Sequence, residues 1–262
     1  MNPLLLGAGG IDQDAARWIA TVGQANVSQG RGRLVSDTIR QLKAANVWAD
    51  LDFLPVLAAE NTASALVDWK ARKVMTAPVA PTFTADGGYA FNGSTQYINT
   101  GFVPSTDCVA ATGTSFMLGA YERTDVTIVS RAMGALVSTA QSAILTPRNS
   151  ANAQAGLNAT SVAVVTGLTD SRGLTVAQTN GTNGTGYKNG VVGASPALTT
   201  PGSSLVNIAL FLGGYNQAGA LTSARACSLG YCLFGRNGWT ATQHASFYAI
   251  MQRYMTRLGA NV

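Results

Sequence analysis

Four carboxylates bear on catalysis by their type and spacing: Glu60 and Glu122, the only glutamates, and the i, i+2 pair Asp50 and Asp52. Cleaving a glycosidic bond takes two carboxyl groups about 5–10 Å apart, one as acid and one as base or nucleophile. Acids at i and i+2 of one strand would meet that spacing. Glu122 has Asp125 nearby, but Asp125 falls in the turn expected after its strand. Asp50, Asp52 and Glu60 lie in a stretch that reads as helical. Glycan cleavage would therefore rest on Glu122 alone, and the chain is expected not to be an enzyme, with no catalytic residue. The single histidine, His244, has no G-x-S-x-G elbow to serve and reads as a surface residue early in a helix. Gly181–Gly186 lacks the Lys and the following helix of a phosphate loop and reads as a hairpin. Asp107 and Asp170 stand alone, so no calcium site is expected. Cys108, Cys227 and Cys232 offer neither a zinc motif nor an even disulfide set. Cys227 and Cys232, five apart on one expected strand, should point to opposite faces. No metal and no cofactor are expected.

Binding chemistry is better represented. Sugar sites gather a few polar groups over an apolar floor, often with an aromatic platform. Tyr121, Arg123, Arg131, Arg148, Tyr215 and Asn216 are side chains of these kinds in or beside expected strands. They read as a glycan-contacting set on a sheet face or rim, or equally as contacts with another subunit.

Composition sets the frame for these residues. Of 262 residues, 47% are hydrophobic and only 11% charged, and there are 29 glycines. Low charge with abundant Gly and Thr excludes a disordered chain and fits many short strands joined by tight turns. The net charge of +5 is unevenly placed. Residues 1–169 are neutral, whereas no acid follows Asp170 and six basic residues do: Arg172, Lys188, Arg225, Arg236, Arg253 and Arg257. They are too scattered for a nucleic-acid stripe, so no nucleic acid is expected. An acidic glycan or an acidic neighbouring subunit stays open. No run has the length of a membrane span, and no membrane partner is expected.

The elements divide at Pro78. Before it, helical patterns run over Asp12–Val22, with Ala16, Ile19 and Ala20 on one side, and onward from Ser36 as a cap. The dense apolar stretch Leu51–Leu57 predicts a further short helix beginning at Pro55. Residues 33–70 thus read as two or three helices packed on a sheet. After Pro78, about eleven strand-like segments alternate with turn signals such as Asn92-Gly93 and Asn189-Gly190. They include Ser115–Arg123, Thr127–Arg131, Ala143–Arg148, Leu174–Gln178, Val206–Leu212 and Ala226–Phe234. Phe116, Leu118 and Ala120 share one face of their strand, opposite Tyr121 and Arg123. Ile144, Thr146 and Arg148 share another face. Thr240 and Gln243 form a capping box for a last helix whose stripe is Phe247, Ile250, Met251, Tyr254 and Leu258, ended by Gly259. The fold class is mainly β: an antiparallel jelly-roll sandwich with an N-terminal helical region and a C-terminal helix.

The order of several segments resembles the concanavalin-like, laminin-G-like jelly-roll proteins of bacteriophages and prophages. These segments are Leu42-Lys-Ala-Ala-Asn-Val-Trp-Ala-Asp-Leu51, Leu57–Asn61, Pro81–Tyr89, Asn92–Gly101 and Trp239-Thr-Ala-Thr-Gln243. The likeness spans roughly residues 33–260. It implies a virion structural protein, a tail fibre, head fibre or capsid decoration subunit, made in the host cytoplasm. It implies no catalytic residues. The expected partners are other capsid or tail proteins and further copies of the chain, as a homo-oligomer. A lectin-like module that recognises host surface polysaccharide is the alternative. The expected divisions are an attachment arm at 1–32, a helical lead-in at 33–77, and a sandwich at 78–262 with its helix at 240–259.

Overall fold

The computed structural model describes residues 10–262. The apolar start of the expected arm lies outside them, except for Gly10. Asp12 caps α1 (Gln13–Val22), its side chain accepting the Asp14 amide at 2.9 Å. Ala15, Trp18, Ile19 and Val22 form the buried stripe, not Ala16 and Ala20. Gly23, at φ 90°, ends the helix. Ser28 rather than Ser36 caps the next helix, α2 (Gln29–Ala44). Ser36 lies mid-helix, where its hydroxyl accepts the Asp12 amide at 2.8 Å. The boundary expected at residue 32 therefore falls inside α2. Gly32 makes room for the helix pair, because a Cβ there would sit 3.2 Å from the Ile19 methyl. Lys43 closes it electrostatically, reaching Asp12 at 2.7 Å and Asp14 at 2.8 Å.

The apolar run after α2 is not helical. It forms β1 (Leu51–Phe53), and the short helix in this region is α3 (Thr62–Ala65). A continuous apolar run does not distinguish a strand buried on both faces from a buried helix. The chain continues through β2 (Thr76–Val79), β3 (Thr82–Thr84), β4 (Gly88–Ala90), β5 (Tyr97–Asn99) and the single turn α4 (Pro104–Asp107). Next come β6 (Phe116–Glu122), β7 (Met133–Ser138), β8 (Gln141–Asn149), β9 (Asn152–Leu157), β10 (Val162–Val165) and β11 (Gly173–Thr179). Last are β12 (Gly184–Lys188), β13 (Val191–Val192), β14 (Phe211–Leu212), β15 (Tyr215–Gln217), β16 (Ala220–Thr222), β17 (Ser228–Gly235) and α5 (Ala241–Arg257). The segment 127–131, expected as a strand, is a loop, and only the end of 206–212 pairs as a strand.

The strands form two antiparallel sheets packed face to face, the jelly-roll-like sandwich read from the sequence. The first runs β13-β12-β11-β6-β17-β4-β3, with β1 beside β17. The second runs β10-β9-β8-β7-β14-β5-β2, with β15 joined in parallel to β7 and β16 beyond it. Between them, Phe116, Leu118 and Phe234 of the first sheet meet Ala135, Ala143, Ala153 and Ala155 of the second. Aromatic rings against alanines keep the two sheets close and evenly filled. Cys227 and Cys232 both face this core, because a bulge between Leu229 and Tyr231 shifts the alternation by one. They are free thiols, and their expected opposition is corrected by that bulge.

The first sheet's outer face is roofed by α1, α2 and α5, which bury Met117, Tyr121, Val176, Tyr231 and Leu233 beneath them. The capping box of α5 forms as expected. Its first turn corrects the expectation of a surface histidine. His244 is 2% exposed, stacks on Tyr187 at 3.5 Å, and shares a 2.9 Å hydrogen bond with Gln178. Burial pushes the imidazole down to about 3. In the unfolded chain it titrates near 6.5, so the unfolded state binds the extra proton and stability falls as pH drops from about 6.5 toward 3. The slope is up to about 1.4 kcal/mol per pH unit. His244→Gln should flatten this acid limb in urea titrations between pH 7 and 4. A wild-type minus variant difference that does not change with pH would refute the assignment.

Candidate functional site

Among the described residues, no helix covers the outer face of the second sheet, and loops rim it instead. Its central row is set by register: Gly134 of β7 lies opposite Ile144 of β8, and Ile144 opposite Gly156 of β9. A Cβ on Gly156 would sit 2.7 Å from the Ile144 side chain. A Cβ on Gly134, at φ 148°, would sit 2.3 Å from the Ala143 carbonyl oxygen. One aliphatic side chain thus lies across two bare backbone positions and fills the space above them. Beside it is a groove of about 450 Å³. Ile144 and Leu136 make its floor, and Arg131, Tyr215, Ser161 and Ser223 stand around it. It can offer a guanidinium, hydroxyls and an aromatic ring above an aliphatic base.

The wall carrying Val129 and Arg131 is held by a buried ion pair. Arg225 meets Glu122 through two hydrogen bonds, Nε at 2.6 Å and a terminal nitrogen at 3.0 Å, and both side chains are 0% exposed. The remaining guanidinium donors reach the carbonyls of Val126 at 2.7 Å, Ile128 at 3.0 Å, Ser130 at 3.3 Å and Arg148 at 3.3 Å. Three of those carbonyls belong to the loop, which explains why 126–130 needs no strand partner. Glu122, the one carboxylate on which glycan cleavage could have rested, is therefore sealed between the sheets. Asp50 instead pairs with Arg236, and Asp52 accepts the amides of Val109, Ala110 and Ala111 at 2.8 Å each.

The expected contact set divides. Arg131 and Tyr215 come together at the groove. The Arg131 guanidinium is half-buried and donates to the Thr146 hydroxyl. Burial pulls its pKa below the ordinary arginine value, the Arg225 cation acts in the same direction, and the Tyr215 phenol opposes them. Arg148 is at the far end of β8, held by Asp125 at 2.9 Å. Asn216 is buried, its amide donating to the Ala209 carbonyl at 2.8 Å and accepting the Gly219 amide at 2.8 Å. Tyr121 and Arg123 are on the first sheet beneath α5 and the chain end. The Tyr121 hydroxyl joins Gln252 and Val262, each at 2.9 Å, and Arg123 donates to the carbonyls of Ala260 and Gly87, each at 2.9 Å. Those two residues clamp the C-terminal segment and do not line this groove. Sequence reading missed Leu136, Ser161 and Ser223, which no local pattern sets apart.

A second concavity of about 460 Å³ lies between α1 and the segments 70–73 and 107–110. Its charges are already matched. Lys70 donates to the Trp48 carbonyl at 2.7 Å and lies over that residue's ring, Lys73 pairs with Asp107 at 2.9 Å, and Asp14 pairs with Lys43.

No family model matches the chain, and no curated protein matches it. Solved structures do. A Trypanosoma rangeli sialidase, in complex with a difluorinated nononic acid, aligns at TM-score 0.50 and 13% identity over 84% of this chain and 39% of the sialidase. The binding domain of serotype D botulinum neurotoxin aligns at TM-score 0.53 and 9% identity, over 77% of this chain and 52% of that domain. The chain thus spans about two fifths of the sialidase and half of the toxin domain. These likenesses establish the class as a jelly-roll-like β-sandwich. They also correct the expectation that the chain is not an enzyme: the same fold recurs within a sialidase, so fold class gives no ground for that exclusion.

Removing one partner of the buried pair should be costly. Arg225→Met should lower stability by about 3–5 kcal/mol, because Glu122 is left charged and unpaired. The double variant Glu122→Leu/Arg225→Met should recover part of that loss in urea unfolding. Additive losses would show that the two residues do not act as a pair.

Proposed function

We propose that the chain is a carbohydrate-recognition module that holds a glycan in the groove of its second sheet. One observation carries this reading: helices roof one outer face, while the other keeps a hollow with an aliphatic base and a polar, aromatic rim. Sugars present apolar C–H patches framed by hydroxyls, which such a surface can match. Tyr215 would supply the aromatic contact, and Ser161 and Ser223 the hydroxyls. The test is binding to an immobilised panel of bacterial surface polysaccharides. Tyr215→Ala should weaken the best ligand about tenfold, close to 1.4 kcal/mol. Ser161→Trp should abolish binding by filling the groove, and Val191→Trp, on the roofed sheet's edge strand, should leave it unchanged. Equal binding by all three variants would remove the groove from the account.

We further infer that this module sits on the surface of a bacteriophage particle, as a fibre or decoration subunit beside capsid or tail proteins. The order of the five segments named above supports this setting, and four of them fall on defined elements. Leu42–Leu51 ends α2 and enters β1, Pro81–Tyr89 holds β3 and enters β4, Asn92–Gly101 forms the turn into β5 with that strand, and Trp239–Gln243 forms the start of α5. Cross-linking mass spectrometry on purified particles should join lysines of this chain to a capsid or tail protein. Absence of the chain from intact particles would refute the setting and leave the groove reading in place.

A further inference from the structure

We infer that the groove is built for an acidic sugar, a glycan whose carboxylate meets Arg131. This inference rests on the groove being a glycan site and adds the charge of its ligand.

Every other buried or half-buried arginine among the described residues meets a carboxylate or a backbone carbonyl. Arg225, fully buried, has Glu122. Arg31, also buried, has Asp86, with Tyr254 at 3.4 Å. Half-buried Arg148 and Arg40 have Asp125 and Asp37. Half-buried Arg123 is met by two backbone carbonyls at 2.9 Å, and Arg72 by one at 3.1 Å. Carbonyl oxygens are strong acceptors and partly offset a cation. Among the described residues, the Arg131 guanidinium has one partner, the Thr146 hydroxyl, a neutral group that itself donates as readily as it accepts. A guanidinium carries five N–H donors, so most of its capacity is open toward the groove.

The surroundings do not compensate for this. The titratable groups that act on Arg131 are the Tyr215 phenol and the Arg225 cation, and the latter already has its carboxylate. Asp125, on the same loop, is engaged by Arg148 and by the Ser171 amide at 2.8 Å. None of the described residues lining the groove is an acid. A partly desolvated cation at the wall of a cavity is worth more to an incoming anion than an exposed one, because less water must be displaced and the local dielectric is lower. The planar fork of arginine also matches a carboxylate through two parallel hydrogen bonds, a geometry that lysine does not offer. Tyr215 and the aliphatic floor would meet the pyranose ring while the guanidinium takes its carboxylate. A bare anion would have no use for the Ile144 and Leu136 floor, which favours a sugar acid over phosphate or sulfate alone.

The experiment compares matched ligands on the full chain by isothermal titration at low and physiological salt. The probes are a trimer of galacturonic acid, its fully methyl-esterified form, and the corresponding neutral galactose trimer. The acid should bind at least tenfold more tightly than either neutral form, with the preference shrinking as salt rises. Arg131→Gln should bring the acid down to the affinity of the ester while leaving the ester unchanged, and Arg131→Lys should keep only part of the preference. Unaltered melting temperatures would show that both variants fold. Equal binding of acid and ester by the wild type would overturn this inference and leave the groove as a neutral-sugar site. A preference that survives in Arg131→Gln would also overturn it. If none of the three probes binds and the polysaccharide panel is silent too, the glycan reading itself fails, and this inference with it. Binding of free phosphate with the same loss in Arg131→Gln, without sugar binding, would place a simple anion there and overturn the sugar assignment.

Discussion

The ion pair between Glu122 and Arg225 is the constraint through which both sheets and the groove are fixed. Two charges removed from water are tolerated only when geometry and hydrogen bonding are complete. Here the carboxylate takes two donors, and the guanidinium spends no donor on empty space. Glu122 ends a central strand of the first sheet, and the Arg148 carbonyl that Arg225 reaches belongs to the second. The pair therefore joins the sheets at one end of the sandwich, where the apolar core alone would not specify a register. Its third set of contacts, to the carbonyls of 126–130, gives an otherwise irregular loop a defined path. Val129 and Arg131 stand at the groove because of it.

The two outer faces follow different logic. Both sheets must bury their inner faces, and the alternation of Phe116, Leu118 and Ala120 against Met117 and Tyr121 gives the first sheet two apolar faces. An apolar outer face needs a cover, and the stripes of α1, α2 and α5 supply it. Trp18 and Tyr254 both pack on Trp69, and His244 closes the cover's edge against Tyr187. The second sheet alternates differently. Its outward residues are Gly134, Leu136, Ser142, Ile144, Thr146 and Gly156, too small and too polar to hold a helix. That face is left to loops, and a hollow remains between them. The division of labour between a roofed face and an open face is thus a property of two residue patterns.

Much of this was legible in the sequence, and the failures share physical causes. The sandwich class, the capping box at Thr240 and the inward face of β6 all followed from period-two alternation and turn chemistry. The helix-to-strand error at Leu51–Phe53 arose because a strand buried on both faces has no alternation to read. Strands β7 and β9 escaped notice because Ala and Gly carry little strand preference. Their pairing is imposed by β8 between them. Tyr121 and Arg123 were placed on an exposed face because alternation tells which residues share a side and not what lies over it. The same gap misplaced His244, whose burial depends on a sheet some sixty residues away in sequence. Of the six contact residues, Arg131 and Tyr215 reach the groove. Arg148 and Asn216 belong to the same sheet but are turned to Asp125 and to the Ala209 carbonyl, and Tyr121 and Arg123 lie with the roofed sheet.

Arg131 and Arg225 make the same point from opposite sides. Both lie against the loop that walls the groove, and the Arg225 cation acts on Arg131. Arg225 could be buried because Glu122, at the end of β6, was available to it. Burying Arg131 in the same way would require a second carboxylate, yet the chain carries none after Asp170, the stretch that supplies Tyr215 and Ser223. A buried cation without a partner would cost several kcal/mol, so this side chain is held half out, with one hydroxyl for support. The arrangement is stable enough to persist and incomplete enough to attract. Where every other buried or half-buried arginine meets a carboxylate or a carbonyl, a guanidinium left with a hydroxyl beside an open groove is where an outside group can contribute most.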